Sequence, residues 1–375
     1  PWGKPTILEV AGHGDVESSW WAKQEIAAQD VFPWTPAEPV LYDFELQLKS
    51  KLGGRSVVDR VAGRTGFRSV ETVGRQLKLN GQPVQIRGLL NWGYSTRHLG
   101  PTRSEQQMRE ELEWAKAWGF NLMKFCLWVP PRRYLELADE MGIMVWIEYP
   151  TWHPKLTDEY LDDLRQEYSE FYCFDRMHPS IVLRSLTCET GHSADLAVVQ
   201  ELYDLAKTSI PGAIVADVPS WIEWNRIHDF YDDHPYGNNH TWLQNVRRLQ
   251  DYISQREPKP LMQGEAIAGD TWYQPSDREL ARSEEEFWLP GFTQANHAWV
   301  ERMSSVLGEQ SMARLEVESK RYAWLMRKYQ IETFRRESPS DGYVVSVIRD
   351  FPLAGMGLVD YRGNPKWDST QWAWH

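Results

Sequence analysis

The sequence predicts an α/β protein built on a (β/α)8 TIM barrel that is preceded by part of an antiparallel β-sandwich. Two observations predict this class. From residue 75 onward, eight apolar strand candidates alternate with amphipathic helices, which is typical of a parallel barrel. Before residue 75, short runs that alternate apolar and polar side chains are separated by glycine-containing turns. We therefore expect two units, residues 1–74 and residues 75–375.

The first unit shows the pattern of strands with one solvent-facing side. The run "PVLYDFELQLKS", from Pro39 to Ser50, alternates apolar and polar side chains, and "KLGGRSVVDRVAGRTGFRSVETVG" adds Gly-Gly and Gly-Arg turns. A complete sandwich of this kind needs about seven strands and ~100 residues. The segment is too short for that, so we expect only part of a sandwich.

The second unit shows strand and helix signals in regular order. Its first helix is expected over "SEQQMREELEWAKAWG", where Ser104 and Gln107 form a capping box and Gly119 ends the helix. "PRRYLELADEMG" repeats the design and ends on Gly142. The eight strand candidates are "QPVQIRGLL", "NLMKFCLWV", "IMVWIEY", "SIVLRSL", "GAIVADV", "DFYDDHPY", "PLMQGEAI" and "YVVSVIRD". A doubly wound open sheet is the alternative, although no glycine-rich phosphate loop follows the first strand.

Composition narrows the class of partner. A net charge of −12 argues against nucleic acid, and no apolar run approaches the ~20 residues of a membrane helix. The three cysteines have neither disulfide nor zinc spacing, and the scattered histidines form no metal motif, so we expect no metal and no cofactor. The 20 Trp suit either a core or a cleft that stacks on sugar rings.

We expect a chain start that is truncated or processed, because it has neither Met nor a signal peptide, and the localisation stays unknown. The sequence leaves open whether the protein forms a homo-oligomer.

Acidic residues close several predicted strands. Glu189 ends the fourth strand and Glu265 the seventh, so their side chains should face each other across the barrel mouth. Two opposed carboxylates are what glycoside hydrolysis requires. The other strand-end acids are Glu148, Asp233 and Asp350. In the alternative interpretation, such acids form structural ion pairs with Arg87 or Arg349.

The chain resembles glycoside hydrolase family 2, the group of β-galactosidases, β-glucuronidases and β-mannosidases. The resemblance rests on "WTPAEPVLYDFEL", "TGFRSVE", "LKLNGQPVQIRG", "LADEMGIMVWIEYPTW", "RMHPSIVLRSLTCE", "LMQGE" and "GLVDYRGNPKW", in this order. It implies that the first unit is part of an immunoglobulin-like domain and that the second is a catalytic barrel. It also implies that Glu189 is the acid/base and Glu265 the nucleophile of a retaining enzyme.

Further site residues follow from the same resemblance. Tyr236 is expected to orient the nucleophile, with His234 beside it at the end of the sixth strand. The expected substrate-binding residues are Cys188, Tyr236, His234, Asn91, Trp92, Trp128, Trp152 and Arg87. For each of the three tryptophans, core packing is the alternative. Asn364 and Lys366 have the spacing by which glucuronidases bind a uronate carboxylate, but an ordinary turn is the preferred interpretation.

Two positions depart from the family. Cys188 stands where the family usually has an Asn that reads the sugar 2-hydroxyl, and a thiol is a weak donor and a poor acceptor. Asn91 and Trp92 stand where many members have a histidine. We therefore expect a retaining β-glycosidase for a terminal β-galactoside-type sugar, either a pyranoside or a furanoside. The alternatives are a β-glucuronidase, a non-catalytic carbohydrate-binding barrel and a structural or interaction module.

Overall fold

A computed structural model describes the protein at residues 31–52, 55–94, 103–191, 193–218, 220–224, 226–237, 239–272, 292–351, 354–360, 363–372 and 374. The segment before the barrel forms two small antiparallel sheets. β1 (Tyr42–Leu52) pairs with β2 (Arg55–Thr65), as the alternating pattern predicts. β3 (Val70–Val73), β4 (Gln76–Leu79) and β5 (Gln82–Pro83) form the second sheet. The Gly-Gly turn and the start of the chain lie outside the described residues.

The eight predicted barrel strands are confirmed as one parallel sheet. In chain order they are β6 (Arg87–Asn91), β7 (Leu122–Cys126), β8 (Met144–Glu148), β9 (Ile181–Ser185), β10 (Val215–Ala216), β11 (Tyr231–Asp233), β12 (Leu261–Ile267) and β13 (Gly342–Val345). Their spatial order is β10-β9-β8-β7-β6-β13-β12-β11, with β6 paired to β13. The sheet is thus a nearly closed TIM barrel, whose C-terminal strand ends form one mouth. β10 and β11 are shorter than their sequence runs.

The barrel interior is filled by inward side chains and closed at its N-terminal end. Leu122, Met144 and Val344 belong to one buried apolar cluster that also contains Trp34 and Leu77 from the segment before the barrel. The sheet β3-β4-β5 therefore packs against the end of the barrel where the strands begin. Burial on both faces explains why the strands appear in the sequence as continuous apolar runs.

The helices surround the barrel and confirm the predicted caps. They are α1 (Glu105–Ala117), α2 (Arg132–Met141), α3 (Leu161–Asp175), α4 (Leu196–Ser209), α5 (Asn239–Ser254), α6 (Phe292–Leu307) and α7 (Glu309–Glu337). The capping box of Ser104 and Gln107 is formed. Gly142 follows α2 with φ of 71°, a left-handed conformation that glycine adopts without strain. Gly308, with φ of 76°, separates α6 from α7. No described helix is long and apolar enough to cross a membrane.

The division of the chain at residue 74 stays a prediction. The expected boundary falls at Gly74, in the turn that joins β3 to β4. Val73 pairs with Gln76 across that turn. A hairpin therefore spans the point where the two units would meet.

Candidate functional site

Glu189 and Glu265 converge at the barrel mouth. Glu265 lies within β12, and Glu189 follows β9 with φ of 52°, so its backbone leaves the strand direction at that residue. One carboxylate oxygen of Glu189, one of Glu265 and one ring nitrogen of His234 all lie within 4.8 Å of one another. The opposition that the sequence predicts is thus present. Among the described residues neither glutamate pairs with an arginine; Glu265 lies beside Lys124 and Glu189 beside His234.

Both oxygens of Glu265 are held by neighbouring side chains. The Tyr236 hydroxyl donates to Oε2 at 2.8 Å, and the Cys126 thiol donates to Oε1 at 3.2 Å. Ser346 lies 3.1 Å from the same hydroxyl. The backbone beside Glu265 is fixed as well, because a Cβ on Gly264 would lie 2.4 Å from Oδ1 of Asp232. Only glycine fits there, and it sets where Glu265 enters the barrel.

Glu189 is held as a carboxylate by its neighbours. The Trp152 indole donates to Oε2 at 2.9 Å, and Nδ1 of His234 donates to Oε1 at 3.3 Å. The hydrogen bond from His234 is the main cause that lowers the pKa of Glu189 to about 2, against the opposing effect of burial. Glu189 is therefore ionised at neutral pH.

His234 is the cation of this pair. Burial lowers its pKa, but the nearby carboxylates of Glu265 and Asp232 outweigh burial and raise the pKa to about 10. Its Nε2 lies 3.1 Å from Oδ2 of Asp232. At neutral pH the ring therefore carries two protons, one beside Asp232 and one beside Glu189.

A buried ion pair under the site was missed by the sequence analysis. Nζ of Lys124 lies 2.9 Å from Oε2 of Glu148 and 3.6 Å from Oε1 of Glu265. Burial lowers the pKa of Lys124, but these two carboxylates raise it well above its ordinary value. The signal was present, since Lys124 and Glu148 are charged residues inside apolar strands. Such residues rarely occur fully buried without a partner.

Cys188 lies inside the barrel rather than at its open rim. Its side chain is buried, and its thiol contacts that of Cys126. Its backbone is fixed by Thr151, whose carbonyl accepts from the Cys188 amide at 3.0 Å. The Cys188 thiol therefore lies close to Glu265, at the position where the resemblance to family 2 leads us to expect an Asn amide.

Three expected substrate-binding residues are corrected by their positions. Arg87 begins β6, at the opposite end of the barrel, and its guanidinium donates to the Gly119 carbonyl at 2.9 Å. The Asn91 amide is buried and donates to Glu111 at 3.1 Å, because this side chain turns toward α1. Trp128 packs in the outer apolar core, and its indole donates to the Asn91 carbonyl. All three serve the fold.

The other two tryptophans border the site. Trp152 is 59% exposed and contacts Glu189, and it stacks on His153 with ring centroids 4.8 Å apart. Trp92 packs against the barrel-interior cluster and contacts Phe351 edge to face. Their roles toward a sugar stay predictions.

The Asn-x-Lys turn is occupied by contacts of its own. Nζ of Lys366 donates to Asp350, Thr271 and Gly355 at 2.6–2.8 Å. Asn364 donates to Asp360. An ammonium with three acceptors has no donor left for a substrate carboxylate.

Comparison with known proteins identifies relatives of this barrel. The model of the TIM barrel domain of glycosyl hydrolases family 2 matches residues 70–269. A β-galactosidase of Arthrobacter sp. (strain B7) is 29% identical over 213 aligned positions, and the match covers 52% of this chain and 20% of that protein. A β-galactosidase of Lactococcus lactis subsp. lactis (strain IL1403) is 30% identical over 183 positions, covering 47% and 18%. The match thus spans about a fifth of the length of these relatives.

Solved structures share the fold at low sequence identity. A family 2 β-galacturonidase from Eisenbergiella tayi, bound to galacturonate, superposes with a TM-score of 0.67 at 18% identity, covering 94% of this chain and 61% of that one. A β-D-glucuronidase from Dictyoglomus thermophilum gives a TM-score of 0.71 at 17% identity, covering 91% and 58%.

Proposed function

This chain belongs to glycosyl hydrolase family 2, and from that premise we propose that it hydrolyses a terminal β-galactoside-type sugar by double displacement. Glu265 is the nucleophile and Glu189 the acid/base. The observation that carries the proposal is their separation. Oxygens of the two carboxylates lie within 4.8 Å. Retaining enzymes place the two carboxyl groups about 5–5.5 Å apart, whereas inverting enzymes need about 6.5–9.5 Å to admit a water.

The contacts of Glu265 suit nucleophilic attack. Tyr236 and Cys126 each hold one carboxylate oxygen, so the group has little freedom to rotate. Lys124 keeps a positive charge 3.6 Å from Oε1 and favours the ionised form. In the first step an oxygen of Glu265 bonds to the anomeric carbon while the bond from that carbon to the leaving oxygen breaks. In the second step water restores Glu265.

The proton for the leaving oxygen is supplied by Glu189 together with His234. Glu189 alone is ionised, but the pair shares one proton along the 3.3 Å contact between Nδ1 and Oε1. The imidazolium passes its Nδ1 proton to Glu189 as Glu189 delivers a proton to the leaving oxygen, so the first step ends with neutral His234 and ionised Glu189. Asp232, 3.1 Å from Nε2, stabilises the ring throughout. In the second step Glu189 accepts a proton from the attacking water and passes it to His234, which restores the imidazolium.

The class of sugar is inferred from the relatives of the chain and from the contacts of Lys366 and Cys188. The curated relatives are β-galactosidases, whereas Lys366 is fully occupied and unsuited to hold a uronate carboxylate. This favours a galactoside-type sugar over the alternative, a β-glucuronide. Cys188 contributes only a weak donor near carbon 2, so we expect either little dependence on the 2-hydroxyl or acceptance of a sugar whose ring presents carbon 2 differently, such as a furanoside.

A panel of 4-nitrophenyl β-glycosides tests the proposal: galactopyranoside, galactofuranoside, glucuronide and galacturonide. We expect turnover of one or both galactosides, and none by the Glu265→Gln variant. If the glucuronide is the best substrate, the alternative is correct. If no glycoside is hydrolysed but sugars bind, the chain is a carbohydrate-binding barrel.

A further inference from the structure

Beneath the two glutamates lies a cluster of four buried side chains that the proposed mechanism does not require as a set. It consists of Cys126, Glu148, Cys188 and Glu265, and we call it the thiol–carboxylate cluster. One ligand atom of each, two thiol sulfurs and two carboxylate oxygens, lies within 4.8 Å of the other three. All four residues are at most 4% exposed.

Strand register brings the cluster together. Cys126 pairs directly with Glu148 across β7 and β8, and both side chains point into the barrel. Trp152 forms a parallel bridge with Cys188, which places the second thiol beyond the end of β9 on the same side. Glu265 reaches in from β12 and accepts from Cys126 at 3.2 Å. Side chains on or just beyond four strands, β7, β8, β9 and β12, therefore place two thiols and two carboxylates close together.

Glu148 is a fully buried carboxylate of the cluster, and its charge partner is the Lys124 ammonium. Its carboxylate has few donors: the Cys126 thiol is a hydrogen-bond partner, and among the described residues no further hydrogen bond to its oxygens is found. The Lys124 ammonium lies 2.9 Å from Oε2. Buried carboxylate oxygens ordinarily have several donors. We propose that the thiol–carboxylate cluster is a binding site for a soft divalent cation, Cd²⁺ or Zn²⁺.

The donor set fits such an ion. Two thiolates and two carboxylates are common zinc ligands, and a tetrahedral ion with bonds of about 2.0–2.3 Å requires ligand atoms about 3.4–3.8 Å apart. The 4.8 Å limit of the cluster means that the set closes by at most about 1.4 Å, and the larger Cd²⁺ needs less closure. On binding, each thiol releases its proton to solvent. The four ionised ligands carry four negative charges, and the divalent ion together with Lys124 carries three positive charges. The occupied site therefore has one net negative charge.

The ion enters through the sugar pocket, since Glu265 is the member that reaches the mouth. An ion bound there holds the carboxylate that attacks the anomeric carbon, so it excludes substrate. This consequence, competitive inhibition, rests on the proposed function. The binding itself does not.

The cysteine count makes the test direct. The chain has three cysteines, and the third, Cys173, is exposed on α3. In the Cys173→Ser variant the cluster contains the only two thiols left. That variant should bind one Cd²⁺ per chain and develop the ultraviolet charge-transfer absorbance of cadmium thiolates. Cys126→Ser and Cys188→Ser, read by the same absorbance, should each weaken binding by at least about tenfold. Mg²⁺ should neither bind nor compete, because it prefers oxygen ligands.

The outcomes separate the two claims. Absence of the absorbance in the folded Cys173→Ser variant overturns the site, whatever the enzyme hydrolyses. If the unmodified protein shows the absorbance and the Cys173→Ser variant does not, the ion binds at the exposed Cys173 and the proposed site is also overturned. An absorbance without inhibition of turnover would keep the site but contradict the role of Glu265. One equivalent of Cd²⁺ that raises KM and leaves kcat unchanged supports both.

Discussion

Replacing His234 by Asn tests whether the proton for the leaving group belongs to the Glu189–His234 pair. In the native protein the pair keeps its proton until the pH rises through the pKa of His234, about 10. Activity toward poor leaving groups should therefore be lost only above that pH. Without the imidazolium, the proton must reside on Glu189, whose ordinary value is 4.5. The alkaline limb of kcat/KM should then move to lower pH.

The size of this shift follows from the two values. The difference between about 10 and 4.5 is its upper bound. Burial of Glu189 without its partner raises the pKa of that carboxyl and reduces the difference, and solvent screens the contact further. We expect a shift of at least about two pH units. The sign follows from the group that carries the proton, because a carboxyl with an ordinary pKa of 4.5 loses its proton at lower pH than an imidazolium whose pKa is about 10.

The assay is the pH dependence of kcat/KM for two β-galactosides, one with an alkyl and one with a nitrophenyl leaving group. The alkyl glycoside needs the proton and should show the full shift, whereas the nitrophenyl glycoside should show little. His153→Asn is the matched control, since this exposed ring lies 3.6 Å from the same carboxylate. An unchanged alkaline limb in a folded His234→Asn variant would refute the shared proton.

Three further predictions concern the neighbours of this pair. Glu265→Gln should abolish turnover of every substrate, whereas Glu189→Ala should retain turnover of nitrophenyl glycosides and form a β-glycosyl azide with azide; equal losses without rescue would contradict the assigned roles. The 2-deoxy analogue of the best substrate should lose no more than roughly tenfold in kcat/KM, about 1.4 kcal/mol, and Cys188→Asn should increase selectivity for the 2-hydroxyl. Unchanged selectivity would mean that Cys188 only packs. Lys124→Met should lower the free energy of unfolding by about 3–5 kcal/mol in denaturant titrations, because it leaves buried carboxylates unpaired, whereas Lys155→Met, in an exposed pair, should change it by less than about 1 kcal/mol.

The barrel was predictable because its strands are buried on both faces. Such strands appear as short apolar runs between helices with clear caps, and all eight were found. The shortest two were not predictable in length: "GAIVADV" and "DFYDDHPY" pair over only two and three residues. Pairing length depends on register with neighbouring strands, which no local pattern contains.

The two glutamates were predictable from strand ends, but their supporting residues were not. Cys126 contacts Glu265, and Glu148 contacts Lys124, through neighbours on different strands. Such contacts need the inward direction of each side chain as well as the register. Asn91 was misassigned for the same reason: it ends a strand as expected, but its amide turns outward to Glu111. A position at a strand end predicts proximity to the mouth and does not predict the direction of the side chain.

The identity of the covalent intermediate tests the central claim most directly. A 2-deoxy-2-fluoro glycoside of the best sugar, with a good leaving group, slows the second step and traps the glycosyl-enzyme. Peptide mapping by mass spectrometry should find one sugar per chain, on the peptide that contains Glu265, and substrate should protect against labelling. A label on another residue, or hydrolysis with inversion and no trapped ester, would contradict double displacement through Glu265.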